Sequence, residues 1–369
     1  MSRADQAAGR ENRAQADRRD KARNTTRVFR QQPYFGGGGA SALSSDANNP
    51  FLWGPFTVSG RSHSVVTGTN LPCFTECHGV LDKRLDLDGF VASLRDGMTI
   101  GIGGWATRRK PMALVRAIAR SDLKDLTIVG YGGPDVGTLV ASGKVKKLIF
   151  GFVSLDHFPL DPHFRAARQA GALEILELDE GLLHWGLRAA AMRLPFLPAN
   201  FGLATDIPSQ GIKTIRSPYE DGQTLLAMPA IKLDAAILHV HRADQAGNTL
   251  IFSPDPFFDD LMARAADQVF VSTEQVVTTE GLDLPANARF HPFERSVVTG
   301  VIEAPLGAHP TGASPDYGID MAHLKTYVGA ASPEDWADYR ARFIDATPDA
   351  YLAAVGGADH VRALPAPIY

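Results

Sequence analysis

Asp179 and Glu180 stand side by side in the run LELDEGLLHWGL, where an apolar, strand-like stretch (173–178) meets a helix-like one (182–194). A carboxylate at such a junction has two uses. It caps the helix, because first-turn N–H groups lack intrahelical acceptors and the helix dipole favours negative charge there. Or it serves as a general base, once burial lifts its pKa towards neutrality. Capping suits Asp179. It does not explain a second acid followed at once by Gly181, whose missing side chain lets backbone or ligand come close. We therefore expect Asp179 to cap or orient and Glu180 to act. His184 and Arg188 lie four apart and share the helix face after Glu180.

A second cluster reads GIGGWATRRKP, residues 101–111. Its G-x-G-x-x-A spacing imitates a dinucleotide fingerprint. In that fold the helix starts at the glycines and holds the pyrophosphate, and the second strand ends in an acid for the ribose. Here Pro111, a favoured first-turn residue, opens the helix only after TRRK. The second strand ends Tyr131-Gly132-Gly133. Nicotinamide binding is therefore disfavoured. Gly103 and Gly104 instead let backbone approach a ligand, and Arg108, Arg109 and Lys110 set positive charge beside it. That suits an anionic substrate carrying carboxylate or phosphate, and equally a solvated basic loop. There is no G-x-S-x-G elbow, and the eleven histidines form no H-E-x-x-H pattern. His239 and His241 would share a strand face, but no third metal ligand is evident, so no metal site is expected.

The elements that position these residues follow from periodicity. MTIGIGGW reads as a strand, PMALVRAIARS as a helix, LTIVGYGG as a strand and DVGTLVASG as a short helix. KKLIFGFV, PHFRAARQAG and ALEILEL continue as strand, helix and strand, leading into the helix of the paired carboxylates. This alternation implies βαβ units and a parallel sheet. Further on, AAILHVH and TLIF flank a DQAGN turn, which predicts a hairpin and hence a mixed sheet. DPFFDDLMARAADQ reads as a helix, VFVSTE as a strand, and 321–355 as helical with a break at Pro333. The fold class is α/β, an open, mostly parallel mixed sheet flanked by helices. Ligands of such sheets bind outside the carboxyl ends of the strands. Gly103-Gly104, Tyr131-Gly132-Gly133 and Glu180 all fall there, and their loops are expected to converge.

Bulk properties exclude several classes. With 369 residues, 44% of them hydrophobic and 21% charged, the chain can bury a sizeable core. A net charge of −4 gives no support for nucleic-acid binding. No apolar run reaches the roughly 18 residues a membrane helix needs. The first residues lack a secretory apolar core, and Asp5, Glu11, Asp17 and Asp20 argue against a transit peptide. A cytoplasmic location is expected. Cys73 and Cys77, beside His63 and His78, read as reduced thiols rather than a metal site. Residues 1–80 keep no helical or alternating period, and GGGG has neither strand before it nor helix after it. We expect a disordered extension there, with the natural start near Val80, and a folded domain over 81–365.

The stretch RDGMTIGIGGWATRRKP resembles the first signature of the family I CoA-transferases: an Asp-Gly pair, a strand, Gly-Gly-Phe and a later Pro. Asp96-Gly97, Gly103-Gly104 and Pro111 match. Trp105 replaces the usual Phe, Gly101 interrupts the aliphatic run, and Arg109 replaces a usual Gly. RLPFLP (193–198) and LDAAILHVHRADQAGNTLI (233–251) are similar to the family's α-subunits, and the resemblance spans about residues 82–365. It implies an open α/β sheet, an acyl-CoA substrate with coenzyme A as part of it, no covalently bound cofactor, and a β-subunit partner (heterodimer or α2β2) that completes the active site.

Within the family, GWATRRKPMALVRAIARSDLKDLTIVGYGGPDVG, GFVSLD and LDEG most resemble the α-subunits of a branch that opens rings in bacterial steroid degradation. That branch hydrolyses a carbon–carbon bond in a CoA thioester bearing the last steroid rings and a carboxylate. True transferases use a glutamate in a Ser-Glu-Asn-Gly motif, usually on the β part, and no such tetrapeptide occurs here. The hydrolase branch needs an α-subunit glutamate, and Glu180 fits its DEG context. The other roles are inferred from position. Backbone N–H groups near Gly103 and Gly104 would hold an oxyanion. Trp105, Tyr131, Gly132 and Gly133 would line the substrate, and Arg108, Arg109 or Arg188 would hold its carboxylate. Two further readings stay open: an α-subunit of a true CoA-transferase (glutaconate or 3-oxoacid type), and a non-catalytic acyl-CoA binding subunit.

Overall fold

Leu126–Gly132 and Leu233–Ala243 are buried along nearly their whole length, and the apolar run Ala235–Leu238 fills the middle of the second. Continuous burial of this kind marks strands of a parallel sheet covered on both faces. The computed structural model describes residues 81–366, Pro159 excepted. The expectations for residues 1–80, including the extension, the GGGG linker and the cysteines, lie outside the described residues.

In chain order the strands are β1 (Thr99–Ile102), β2 (Leu126–Gly132), β3 (Val145–Val153), β4 (Glu174–Glu177), β5 (Phe196–Ala199), β6 (Thr214–Arg216), β7 (Thr224–Pro229), β8 (Leu233–Ala243), β9 (Thr249–Leu250), β10 (Ala266–Val276) and β11 (Gly300–Glu303). The helices are α1 (Leu87–Ala92), α2 (Met112–Arg120), α3 (Pro134–Ala141), α4 (Pro162–Gln169), α5 (Glu180–Ala191), α6 (Asp259–Ala265), α7 (Leu284–Asn287), α8 (Met321–Gly329), α9 (Pro333–Tyr339), α10 (Pro348–Ala354) and α11 (Ala358–Arg362). Among the described residues no helix is long and apolar enough to cross a membrane.

The main sheet runs β11-β10-β8-β1-β2-β3-β4, all parallel, with β9 pairing antiparallel to β8. The α/β class and the hairpin expected at DQAGN are both present. The period of two along each strand divides the core. Ile100, Ile128, Leu148, Ile237 and Phe270 face one layer with α2 and the C-terminal helices. Val129, Tyr131, Leu238, Val240 and Val271 face the other, with α5 and α6.

The topology places the site. From β1 the chain winds outward through β2, β3 and β4; on returning it starts again at β8, on the other side of β1, and winds outward through β10 to β11. The order therefore reverses between β1 and β8, and the crevice at such a point is where open α/β sheets take ligands. The Gly103-Gly104 segment leaves β1 at that crevice.

The sequence reading left one element out and drew another too long. Residues 196–229 hold a separate three-stranded antiparallel sheet, ordered β5-β7-β6, which the periodicity did not suggest. The helix read over DPFFDDLMARAADQ is only Asp259–Ala265, and β10 begins at once at Ala266. Pro333 does interrupt the C-terminal helices, as the first residue of α9 behind the Ser332 cap.

Candidate active site

The two carboxylates take different positions. Asp179 has extended backbone and its side chain accepts the Leu182 N–H at 2.7 Å, an N-cap for α5. Glu180 is the first residue of α5 and is exposed. Its carboxylate makes no hydrogen bond or ion pair among the described residues. Partial burial, and then the charge of Asp179, raise its pKa above the ordinary value. The backbone beneath it is pinned, because Tyr131 Oη donates to the Glu180 carbonyl at 2.9 Å. Gly151 of β3 makes room, since a Cβ there would stand 3.2 Å from Glu180 Cα. Gly181 faces a different neighbour than expected: a Cβ there would meet the Phe201 ring at 3.1 Å.

The loop after β1 is a folded clamp. Trp105 and Arg108 pair through both backbone hydrogen bonds and close a tight turn. Gly104 has φ +73°, and a Cβ there would strike the Arg108 and Arg109 carbonyls, so glycine is required. Its N–H donates to Asp259 Oδ1 at 2.9 Å, and the Gly103 N–H donates to the Ile237 carbonyl at 3.0 Å. Neither amide is free for an oxyanion, which corrects the role expected of Gly103 and Gly104.

Arg109 is corrected likewise. Its side chain is buried, with Nη1 2.5 Å from Asp259 Oδ2 and 2.9 Å from the His239 carbonyl. Lys110 is buried against Asp135 at 3.3 Å, and burial lowers its pKa. The TRRK segment is therefore neither a solvated loop nor a free anion cradle. Only Arg108 remains partly exposed, 3.8 Å from Asp156.

The expected loops do meet. Trp105 stacks on Tyr131 with ring centroids 4.9 Å apart, and the Ala106 N–H donates to the Tyr131 carbonyl at 3.2 Å. Gly133 permits this approach, since a Cβ there would overlap the Ala106 carbonyl. A Cβ on Gly132 would crowd Val136, so both glycines serve internal packing. Arg188 is exposed and donates to His184 Nε2 at 2.9 Å, with both residues following Glu180 along one face of α5.

The sequence reading missed the residues around this centre. Phe152 at the end of β3, with Phe257 and Phe258 before α6, packs against Trp105 at 4.9, 6.0 and 5.9 Å. Phe258 also lies 4.6 Å from His184. Asp259 anchors the clamp. The only signal was the FFDD tetrapeptide, which carries nothing about a partner so distant in sequence. His239 and His241 serve the scaffold. His239 bonds Ser272 and Glu274 at 2.9 and 2.8 Å, and His241 bonds the Ser314 carbonyl and the Phe252 N–H. Burial acts to raise the pKa of Glu274. Bonds and charge from His239, with the Tyr317 hydroxyl and the Leu306 N–H, outweigh it and leave Glu274 low.

A parallel sheet with a glycine clamp at its switch point, and a carboxylate opening the helix after β4, define an α/β fold with its candidate site at the carboxyl edge of the sheet. The chain belongs to the coenzyme A transferase family, whose profile matches residues 85–292. It is 49% identical over 283 residues to the cholesterol ring-cleaving hydrolase IpdA subunit of Rhodococcus jostii (strain RHA1), across 74% of this chain and 96% of that one. The protein of the same name from Mycobacterium tuberculosis (strain H37Rv) is 49% identical over 285 residues, across 74% of this chain and 97% of that one. The crystal structure of glutaconate coenzyme A-transferase from Acidaminococcus fermentans matches with a TM-score of 0.72 at 27% identity, across 76% of this chain and 95% of that one. The two relatives are named as subunits, which implies a partner subunit for this chain.

Proposed function

We propose that this chain is the α-subunit of a heteromeric cytoplasmic enzyme that opens a ring in a steroid-derived keto-acid CoA thioester by hydrolytic retro-Claisen cleavage. One observation carries the reading. Glu180 is a carboxylate without a partner among the described residues, at the carboxyl edge of the sheet and with a raised pKa, while Asp179 takes the capping role. The IpdA relatives, named for cholesterol ring cleavage, supply the substrate class.

In this mechanism Glu180 takes a proton from water, which adds to the ring ketone. The bond from that carbon to its neighbour then breaks. Its electron pair becomes an enolate and is protonated, a new carboxylate forms, and the thioester is kept. The Gly103 and Gly104 amides are engaged, so the oxyanion falls to the first amides of α5 and to the β-subunit. First-turn N–H groups have no intrahelical acceptor, and among them Asp179 takes that of Leu182. Arg188 and Arg108 are the cations placed to hold the substrate carboxylate. The active assembly is a heterodimer or α2β2.

The test is turnover in ¹⁸O-water by the chain reconstituted with its β-subunit. Hydrolytic ring opening puts one ¹⁸O into the new carboxylate and leaves the CoA thioester intact. Transfer of coenzyme A to an added carboxylic acid, with the ring closed, would instead make the pair a true CoA-transferase. Neither reaction would leave an acyl-CoA binding subunit.

A further inference from the structure

Phe257 is a bulky residue held in the left-handed region, at φ +57°. That conformation is a real outlier for such a side chain, and strain of this kind persists only where the surroundings enforce it. Here they do. The Phe257 N–H donates to Asp255 Oδ1 at 2.6 Å, and the Arg109 guanidinium lies 5.4 Å from the ring centroid. Two residues on, Asp259 holds both Arg109 and the Gly104 N–H. One carboxylate thus locks the Phe257 segment and the Trp105 turn together. Three other left-handed non-glycine residues belong to the same neighbourhood: Ala106 and Arg109 in the turn, and Asp156, which bonds Thr107.

The strain does not serve burial. Phe257, Phe258 and Trp105 all remain partly exposed. Phe257 lies nearly parallel to Trp105, with 19° between the planes. Trp105 lies nearly parallel to Tyr131, with 16° between the planes. The result is a stacked ledge of rings, with Tyr131 buried at one end and Phe257 partly exposed at the other. It lies near the candidate base, since Phe258 touches His184, one turn after Glu180 on the same helix face. Strained backbone that holds a partly exposed aromatic ring near the candidate base is suited to a flat apolar ligand.

We propose that Phe257, with Trp105 and Phe258, docks the fused-ring part of the acyl group, and that Phe257 sets the preference for ring-bearing over open-chain thioesters. This rests on the reading of Glu180 as the catalytic base of a ring-opening hydrolase. The ledge grips rings alone; coenzyme A and the reacting ketone are held elsewhere.

The experiment uses the full chain purified with its β-subunit and compares wild type, Phe257→Gly, Phe257→Leu and Glu180→Gln. Glycine adopts φ +57° without strain, so the Gly variant keeps the backbone and removes only the ring. With a ring-bearing keto-acid CoA thioester, Phe257→Gly should raise KM about tenfold or more. Its kcat should stay within about threefold of wild type. Affinity for coenzyme A alone should be unchanged, any fall in melting temperature should be small with the fold retained, and Phe257→Leu should lie between. An unchanged KM in Phe257→Gly, with Glu180→Gln inactive, overturns the docking role and leaves the catalytic reading standing. Loss of co-purification with the β-subunit in Phe257→Gly also overturns it, because the ledge would then be covered by the partner. Full activity of Glu180→Gln removes the underlying reading itself, whatever happens at position 257.

Discussion

Tyr131 Oη donates a 2.9 Å hydrogen bond to the Glu180 carbonyl, bridging the end of β2 and the start of α5. The phenol is buried beneath the stacked Trp105 ring. Burial, and then the charges of Glu180 and Asp179, push its pKa far up, so it remains a donor at any physiological pH. Through this one contact the glycine clamp after β1 sets the position of the candidate base. Tyr131→Phe keeps the aromatic stack and removes the bond. It should lower stability by about 0.5–1.5 kcal/mol. It should also lower kcat by about 3- to 30-fold, since small displacements of a catalytic group are costly. Chemical denaturation and steady-state kinetics of the reconstituted enzyme check both.

Asp179 and Glu180 should separate under mutation. Asp179→Ala removes the N-cap and should cost about 0.5–2 kcal/mol, whereas Asp179→Asn, an equally good cap, should cost little. Both should keep kcat close to wild type. A large loss of kcat in Asp179→Asn would show that the carboxylate takes part in the chemistry.

The arginines should separate as well. Arg109→Ala strands the Asp259 carboxylate in the interior, and removing one partner of a buried pair costs about 3–5 kcal/mol. Arg188 is exposed, so Arg188→Ala should change stability by less than about 0.5 kcal/mol. Its effect should be a raised KM for the carboxylate-bearing thioester. Melting curves and KM values for the two variants distinguish an anchor from a substrate contact.

The buried histidines predict an acid limb. Burial lowers the pKa of His163 to about 4 and those of His241 and His323 to about 3. For His241 the charge of Arg109 adds to burial. Each stays neutral in the fold but takes a proton near pH 6.5 once unfolded. Their contribution is therefore full above about pH 6.5 and is lost as pH falls towards 4 and then 3. Asp161, raised to about 6 by burial, works the other way. Its contribution is present below about pH 3.9 and lost as pH rises through 6, so it offsets only part of the loss. The urea midpoint should fall between pH 7 and pH 5, and His241→Gln should make that fall shallower.

What the sequence conveyed depended on local pattern. β1 to β4 and the helices between them were legible because each strand is a compact apolar run and each helix has its own period. The β5-β7-β6 sheet was not. β5 contains Pro198 and follows Pro195, and β6 has only three residues, so neither reads as a strand before pairing supplies the context. At the site, Asp179 was legible as a cap because capping is local chemistry. The fate of Arg109 was not, because its partner lies 150 residues away and charge alone does not disclose burial. The free amides expected at Gly103 and Gly104 failed for the same reason, since their acceptors come from β8 and α6.

The central claim is that Glu180 is the base. The most direct measurement is kcat for ring opening by Glu180→Gln, reconstituted with the β-subunit, with the melting temperature and thioester binding followed alongside. Gln keeps the size and some hydrogen bonding but cannot take the proton. The account predicts a fall of about 100- to 10,000-fold in kcat with the fold and binding retained. Ring opening at close to the wild-type rate would contradict it and return Glu180 to the role of a second charge at a helix end.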